Sequence, residues 1–114
     1  MNIEKITKEN KNYRKVLETN KNSQLVVMSL KPQEEIGFET HSHTSQYIKI
    51  EKGHVIVIMG KNNKHLYAYD LTDGYSIMIP PGFLHNVIAV IESKLYTIYS
   101  PPEHPQNLIQ KFKP

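Results

Sequence analysis

Residues 37–53 carry the sequence GFETHSHTSQYIKIEKG, and the interpretation of the whole chain starts from this stretch. Its first half contains two histidines at a spacing of two, His41 and His43, with Glu39 two residues before them. Side chains two residues apart in a strand point to the same face. If 38–43 is extended, these three side chains therefore share one face, as the ligands of a metal site would.

The second half of the same stretch alternates between apolar and polar residues, which is typical of a half-buried strand. Ile48 and Ile50 form its apolar face, and Gln46 has the same parity. We therefore predict that Gln46 points inward. A bulge or tight turn near Thr44-Ser45 would bring its amide beside the histidines.

The rest of the chain repeats this pattern of short alternating segments. Predicted strands cover residues 13–19, 24–31, 45–53, 54–60, 64–70, 74–80, 86–91 and 94–100. Turn-forming residues separate them roughly every 8 to 12 residues, a spacing that favours an all-β sandwich or barrel. Residues 1–12 predict a short helix or arm. The tail, SPPEHPQNLIQKFKP, contains four prolines and predicts an extended strap.

A second candidate site residue, His85, ends the sequence GYSIMIPPGFLH, residues 74–85. Its Pro-Pro-Gly predicts a tight turn, and His85 comes three residues after the glycine. The segment 86–91, NVIAVI, is apolar on both faces, as in a strand that is buried on both sides. We therefore expect His85 to lie close to the core.

Composition narrows the class of protein. The chain has 114 residues, 39% hydrophobic and 22% charged, which fits one globular domain over 1–114. It has no cysteine, so any metal must be held by nitrogen and oxygen. A net charge of +3 with a single arginine, Arg14, weighs against nucleic-acid binding. No apolar run reaches membrane-spanning length and no leader pattern opens the chain, so we expect a soluble, cytoplasmic protein that does not bind membranes.

The two polar stretches together resemble the two motifs of the cupins, which are double-stranded β-helix (jelly-roll) barrels. The first cupin motif, about 37–53, is matched by Gly37, His41, His43, Gln46 and Gly53. The second, about 74–89, is matched by Gly74, Pro80, Gly82 and His85. GFETHSHTSQYIKIEKG and IPPGFLHNV are also similar to small single-domain cupins labelled as mannose-6-phosphate isomerase-like. The resemblance implies an all-β cupin barrel with a short N-terminal arm.

The resemblance also implies a divalent transition metal held by His41, His43, Gln46 and His85. Gln46 stands where the family has an acid, so these four ligands leave the charge of the metal without a counter-charge. Glu39 is the nearest carboxylate on the same face. We predict that it either binds the metal or orients a ligand. Nitrogen and oxygen ligands with open positions suit Fe, Mn, Ni or Zn better than copper(I).

Three functions are compatible with this site. The first is a metal-binding cupin that binds a small polar ligand, a sugar or an oxo-acid. The second is a metalloenzyme, either a sugar isomerase with Glu39 as the catalytic candidate or an Fe(II) oxygenase that would need Glu39 on the metal. The third is a ligand sensor without turnover.

We also expect a homodimer. The apolar sequence LVVM, residues 25–28, is more than a barrel this small is expected to cover, and cupins commonly pair through edge strands. The other histidines, His54, His65 and His104, follow turns or lie in the tail, so we expect them outside the site. Phe38 and Phe83 fall within the motifs and are expected to line the pocket mouth or cap the core.

Overall fold

The computed structural model describes residues 1–114 and shows a chain that is almost entirely β-structured. One helix precedes nine strands, and every strand pair is antiparallel, which confirms the predicted all-β fold. In chain order the elements are α1 (Ile3–Glu9), β1 (Arg14–Thr19), β2 (Gln24–Leu30), β3 (Ser45–Lys52), β4 (His54–Gly60), β5 (Leu66–Thr72), β6 (Ser76–Ile79), β7 (Leu84–Ala89), β8 (Ser93–Ser100) and β9 (Ile109–Gln110).

The strands form two sheets that enclose one core. The larger sheet has the order β6-β3-β8-β2-β1-β9, and the smaller has the order β5-β4-β7. Residues 33–39 continue the smaller sheet beyond β7 through isolated bridges, Glu35 with Ile88 and Glu39 with His85. The connection between β2 and β3 is therefore held against β7 before the chain enters the larger sheet.

The alternation of side chains along β3 decides which of them face the core. In β3, Gln46, Ile48 and Ile50 are 3%, 0% and 0% exposed, whereas Tyr47 and Lys49 between them are partly exposed. Gln46 thus points inward with the apolar face of its strand, as the sequence predicts. The core contains 15 buried hydrophobic residues drawn from both sheets.

Helix α1 covers the outer face of the larger sheet. Its N-cap, Asn2, accepts a hydrogen bond from the backbone N–H of Lys5 through its side chain. The helix packs on β2, β3 and β8, and Val26, Val27 and Met28 of β2 are fully buried. The expectation that LVVM is left uncovered is therefore wrong, because α1 covers one face of β2 while the core covers the other. No helix is long and apolar enough to span a membrane.

The tail runs through bends and a turn at Gln106-Asn107 and contains the short edge strand β9. The side chain of Gln24 anchors it: Nε2 donates to the carbonyl of His104 at 2.8 Å, and Oε1 accepts from the backbone N–H of His104 at 3.0 Å. At its far end, Nη1 of Arg14 donates to Oε1 of Gln110 at 2.7 Å. These bonds bring the residue before His104, Glu103, to the polar end of the barrel.

Several strand boundaries differ from the sequence prediction: β5 covers Leu66–Thr72 rather than 64–70, β6 covers Ser76–Ile79 rather than 74–80, and the tail contains the short strand β9. The difference at β7 matters most for the site. The segment expected to be buried on both sides was 86–91, but β7 covers Leu84–Ala89. Val90 and Ile91 are 39% and 52% exposed because the chain leaves the sheet there and turns into β8. The shift places His85 within the strand rather than before it.

Candidate metal centre

Three of the predicted site residues come together at one end of the barrel. The ligand atoms of Glu39, His41 and His85 all lie within 4.8 Å of one another. The imidazole centroids of His41 and His85 are 5.3 Å apart, and Oε2 of Glu39 is 4.0 Å from Nε2 of His41. His85 is 3% exposed, whereas the side chain of Glu39 is 34% exposed, so the cluster is buried at His85 and reaches solvent at Glu39.

Backbone hydrogen bonds explain why these residues meet. The N–H of Glu39 donates to the carbonyl of His85 at 2.9 Å, and the N–H of His85 donates to the carbonyl of Glu39 at 3.0 Å. The N–H of Gly82 donates to the carbonyl of His41 at 2.8 Å. Gly82 has a φ of 83°, a left-handed conformation that favours glycine. The turn of the second motif therefore positions a histidine of the first.

The buried amide of Asn86 fixes the segment that carries Glu39. Oδ1 of Asn86 accepts from the N–H of Gly37 at 2.8 Å, and its Nδ2 donates to Oε1 of Glu35 at 3.1 Å. Asn86 is 2% exposed and adjoins His85 in β7. One strand thus supplies a candidate ligand and also holds the segment that carries the next one.

Both histidines of the cluster have a buried ring nitrogen without a hydrogen-bond partner, and so does the amide oxygen of Gln46. Five buried side-chain atoms of the protein lack a partner, and three of them are Nε2 of His41, Nε2 of His85 and Oε1 of Gln46. Leaving such an atom unsatisfied costs about 1–3 kcal/mol. Each of the three can offer a lone pair to a metal ion, which would satisfy all of them at once.

The second nitrogen of each imidazole faces an oxygen. Nδ1 of His85 donates to the carbonyl of Phe83 at 3.1 Å, since a carbonyl can only accept. Nδ1 of His41 lies 3.5 Å from Oε2 of Glu103. A proton held on Nδ1 leaves the lone pair on Nε2, which is the arrangement found in metal-binding histidines. Burial also lowers the pKa of His85, which favours its neutral, ligating form.

Gln46 approaches the site from the larger sheet. Its Nε2 donates to Oγ1 of Thr97 at 3.0 Å, which leaves Oε1 as the free end of the amide. Gln46 pairs with Tyr99 on β8, and the ring of Tyr99 is centred 5.8 Å from that of His41. The amide oxygen is therefore free, on a residue that pairs with the neighbour of His41.

His43 is not brought into the cluster. His43 would share a face with Glu39 and His41 only if 38–43 were extended, but the chain bends at Ser42 and His43 before β3 begins. The bend turns the His43 side chain to solvent, where it is exposed. The alternation of side chains in a strand no longer applies across this bend, so Glu39, His41 and His43 do not share one face.

Glu103 is the site residue that sequence reasoning missed. Besides facing His41, its carboxylate accepts a hydrogen bond from Oγ1 of Thr44, which is 3% exposed. Glu103 lies in the proline-rich tail, where no motif marks it. The remaining histidines stay outside the cluster, with His54 paired to Asp70 at 2.6 Å and His104 packed on Tyr99.

The donor set fits a divalent transition metal. It offers two imidazole nitrogens, one carboxylate and one amide oxygen, with no thiolate in the chain. Imidazole and carboxylate donors suit iron, manganese, nickel and zinc. The carboxylate of Glu39, whose side chain is 34% exposed, would offset part of the charge of the metal.

Two curated proteins are similar to the chain over its full length, although no family model matches it. The chain is 44% identical over 119 residues to protein L612 of Acanthamoeba polyphaga mimivirus, covering 100% of this chain and 72% of the viral protein. It is 40% identical over 116 residues to YrkC of Bacillus subtilis, covering 99% of this chain. The chain spans 62% of the length of YrkC, which is less than two thirds.

Solved structures identify the barrel type. BH2720 of Bacillus halodurans matches with a TM-score of 0.96 at 38% identity, covering 99% of this chain and 88% of that one. An RmlC-like cupin from Shewanella frigidimarina matches with a TM-score of 0.70 at 23% identity, covering 80% and 77%. Bacillus subtilis oxalate decarboxylase, which contains Mn(II) centres, gives 0.69 at 17% identity, covering 81% of this chain and 24% of that one. The last two matches are below 25% identity and therefore show the fold alone, and they confirm the predicted jelly-roll barrel.

Proposed function

Because this chain belongs to one family with L612 and BH2720 and has the cupin fold, we propose that it is a metal-binding cupin that takes a small polar ligand. A divalent transition metal would be held by Glu39, His41 and His85, with the amide oxygen of Gln46 as a fourth donor. The ligand would be a sugar or an oxo-acid whose oxygens occupy the remaining coordination positions.

The observation that carries this proposal is the set of buried atoms without partners. Nε2 of His41, Nε2 of His85 and Oε1 of Gln46 come from three separate segments of the chain. Residues that merely fill a core would be expected to satisfy these atoms with protein partners, as most buried polar groups are. A shared metal would satisfy all three atoms, since Gln46 pairs with Tyr99 and the ring of Tyr99 is centred 5.8 Å from that of His41.

The protein groups have distinct roles in this proposal. The bound metal would act as a Lewis acid toward ligand oxygens. The Phe83 carbonyl and Glu103 orient the two imidazoles through their Nδ1 atoms. Glu39 would supply the negative charge, and burial of His85 lowers its pKa and so favours the neutral imidazole.

The composition of the cluster favours one enzyme as a second candidate, an Fe(II) oxygenase. Two histidines and one carboxylate, here His41, His85 and Glu39, are the ligand set that non-haem Fe(II) oxygenases use. A sugar isomerase would instead need Glu39 free to act as the base that moves a proton. Iron in the purified protein would favour the oxygenase, whereas zinc, nickel or manganese would favour ligand binding or isomerisation.

The metal proposal is tested by elemental analysis of protein purified without added metal or chelator. We expect about one equivalent of a transition metal in the wild type and none in the His41→Ala, His85→Ala double variant. A His54→Ala, His65→Ala double variant is the matched control and should retain the metal, as should His43→Ala. Metal absent from the wild type, or equal in all variants, would overturn the proposal.

We further propose that the protein is a homodimer that pairs through β6. This strand lies at the edge of the larger sheet and has a free hydrogen-bonding side. Met78 on β6 and Tyr75 just before it are 57% and 60% exposed. Light scattering should give twice the chain mass at micromolar concentration, and Met78→Lys should shift the protein to monomer. A wild-type monomer would refute this assembly.

A further inference from the structure

A cavity of about 320 Å³ opens on the inner face of the smaller sheet and takes no part in the proposed metal ligation. It is lined by Met59, Tyr67, Tyr69 and Phe83, together with the polar side chain of Lys61 and that of His65. Its volume is at the lower end of the range for small-molecule sites. A single-ring compound is the size of ligand that it can enclose.

Strand pairing places this cavity beside the metal centre. Met59 on β4 is the direct partner of His85 on β7, and Tyr67 on β5 is the direct partner of Met59. Directly opposed side chains in antiparallel strands have Cβ atoms about 4.5–5.5 Å apart. The backbone of Phe83 also binds His85, so the residue that orients a candidate ligand lines the cavity as well.

The two tyrosines are exposed although their strand faces the core. Along β5, Leu71 is 5% exposed, whereas Tyr69 and Tyr67 on the same face are 40% and 64% exposed. β5 is the edge of its sheet, and nothing covers the outer part of this face. Two aromatic rings are thus presented beside Met59 and Phe83, as in pockets that bind flat apolar groups.

The ionisable side chains that line the cavity, apart from its tyrosines, are basic. No carboxylate lines it, and Lys61 forms no salt bridge. The nearest acid along β5, Asp70, points to the opposite face and pairs with His54. An ammonium group at an aromatic pocket matches a ligand that combines a flat apolar body with an anionic group.

We propose that this cavity binds the planar, aromatic body of a carboxylic acid whose carboxylate lies at Lys61. A neutral sugar fits less well, because its hydroxyl groups would need acceptors and the lining has neither carboxylates nor amides. The assignment of this acid as the ligand of the metal centre rests on the proposed function. Binding in the cavity itself does not require the metal.

The test uses benzoate as the probe and benzamide as its uncharged isostere, with glucuronate as the rival sugar acid. Chemical shifts of the metal-free, full-length protein report binding and its location. We expect benzoate to shift the resonances of Tyr67, Tyr69 and Phe83, with benzamide binding more weakly and glucuronate leaving these residues unshifted. Glucuronate binding there more tightly than benzoate would overturn the aromatic assignment.

Matched variants separate the cavity from the rest of the surface. Tyr67→Ala should weaken benzoate binding about two- to tenfold, whereas Phe112→Ala, at a similarly exposed aromatic ring in the tail, should not. Lys61→Gln should abolish the preference for benzoate over benzamide, whereas Lys64→Gln should keep it. Tyr67→Phe retains the ring and should bind like the wild type. Equal effects of a variant and its control would refute the site.

The two proposals can fail independently. If the protein binds benzoate but never takes up metal, the proposal for the cavity is supported and the proposed metal-binding function is refuted. Metal uptake without benzoate binding would do the opposite. If both hold, Mn²⁺ in the wild type should broaden the lines of bound benzoate, and the His41→Ala, His85→Ala variant should lose that broadening. Mn²⁺ uptake without this broadening would refute the link between the cavity and the metal.

Discussion

The two sheets of this barrel differ in how completely their faces are covered. In the larger sheet, Val26, Val27 and Met28 are fully buried because the core lies on one face of β2 and α1 on the other. In the smaller sheet, the inner face of β5 is buried at Leu71 but open at Tyr67. The candidate metal centre lies where the two sheets meet, with His85 from one and Gln46 from the other.

This difference indicates that the larger sheet mainly stabilises the fold, whereas the open part of the smaller sheet is available for ligand binding. Apolar burial, at about 25 cal/mol per Å², is the main stabilising term, and the covered sheet supplies most of it. The open part of the smaller sheet contributes little burial and is free to carry a ligand site. Substitutions in the two regions should therefore have opposite signatures, large in stability for one and large in binding for the other.

The sharpest test of the comparison is Ile48→Ala in the larger sheet. Ile48 is fully buried, so its truncation should lower the free energy of unfolding by about 2–5 kcal/mol. Ile91→Ala, at a position 52% exposed, should change it by less than about 0.5 kcal/mol. Urea denaturation measures both. Similar losses at the two positions would break the comparison.

At the junction of the sheets, Glu103→Gln should weaken metal binding without removing any donor of the cluster. Oε2 of Glu103 lies 3.5 Å from Nδ1 of His41 and would orient this imidazole on a bound metal. Losing such a partner typically costs 10–100-fold in metal affinity. Titration against a chelator measures the change. Glu92→Gln, at an exposed acid paired with Lys94, is the control and should bind metal like the wild type. Unchanged affinity in Glu103→Gln would show that the tail does not support the site.

Acid should destabilise the metal-free protein through its buried histidines. Burial lowers the pKa of His85 and lowers that of His104 from 6.5 to about 4. Between these values the unfolded chain binds more protons than the folded chain, so the free energy of unfolding falls as pH falls through this window. Below pH 4, His104 contributes no further loss.

Denaturation at a series of pH values tests this dependence. His104→Gln should flatten the profile between pH 6.5 and 4, whereas His65→Gln, at an exposed histidine, should leave it unchanged. An identical profile in the wild type and His104→Gln would contradict the expected role of His104.

The smallest expected effect is that of Tyr67→Ala on stability. Tyr67 is 64% exposed, so the variant should lie within about 0.5 kcal/mol of the wild type. Leu71→Ala, on the same face of the same strand but 5% exposed, should lose about 2–5 kcal/mol. Thermal unfolding of both variants measures the contrast. A large loss at Tyr67 would mean that the open region is structural.

Much of the fold could be predicted from local patterns. Alternation in β3 and β4 and the turns at Gly53 and Gly82 mark strands and their ends, because side-chain parity and turn chemistry depend on a few neighbouring residues. The two motifs, spaced as in cupins, also named His41 and His85, and strand parity added Glu39; the ligand atoms of these three residues lie within 4.8 Å of one another in the structure.

The rest depended on packing between distant segments. His43 shares its parity with His41, yet a bend of two residues turns it to solvent. Glu103 lies 62 positions after His41 in the numbering, and only the Gln24 anchor of the tail brings the two together. We expected LVVM, residues 25–28, to be uncovered because the local sequence cannot show that α1 packs over β2.

By itself, the sequence determined where the strands lie, which faces are apolar and which residue types can hold a metal, since these follow from local chemistry. The tertiary structure alone decided which polar atoms stay without partners and which aromatic rings stay uncovered. Both depend on what every other segment places around an atom, and that is settled only when the two sheets, the helix and the tail close around one core.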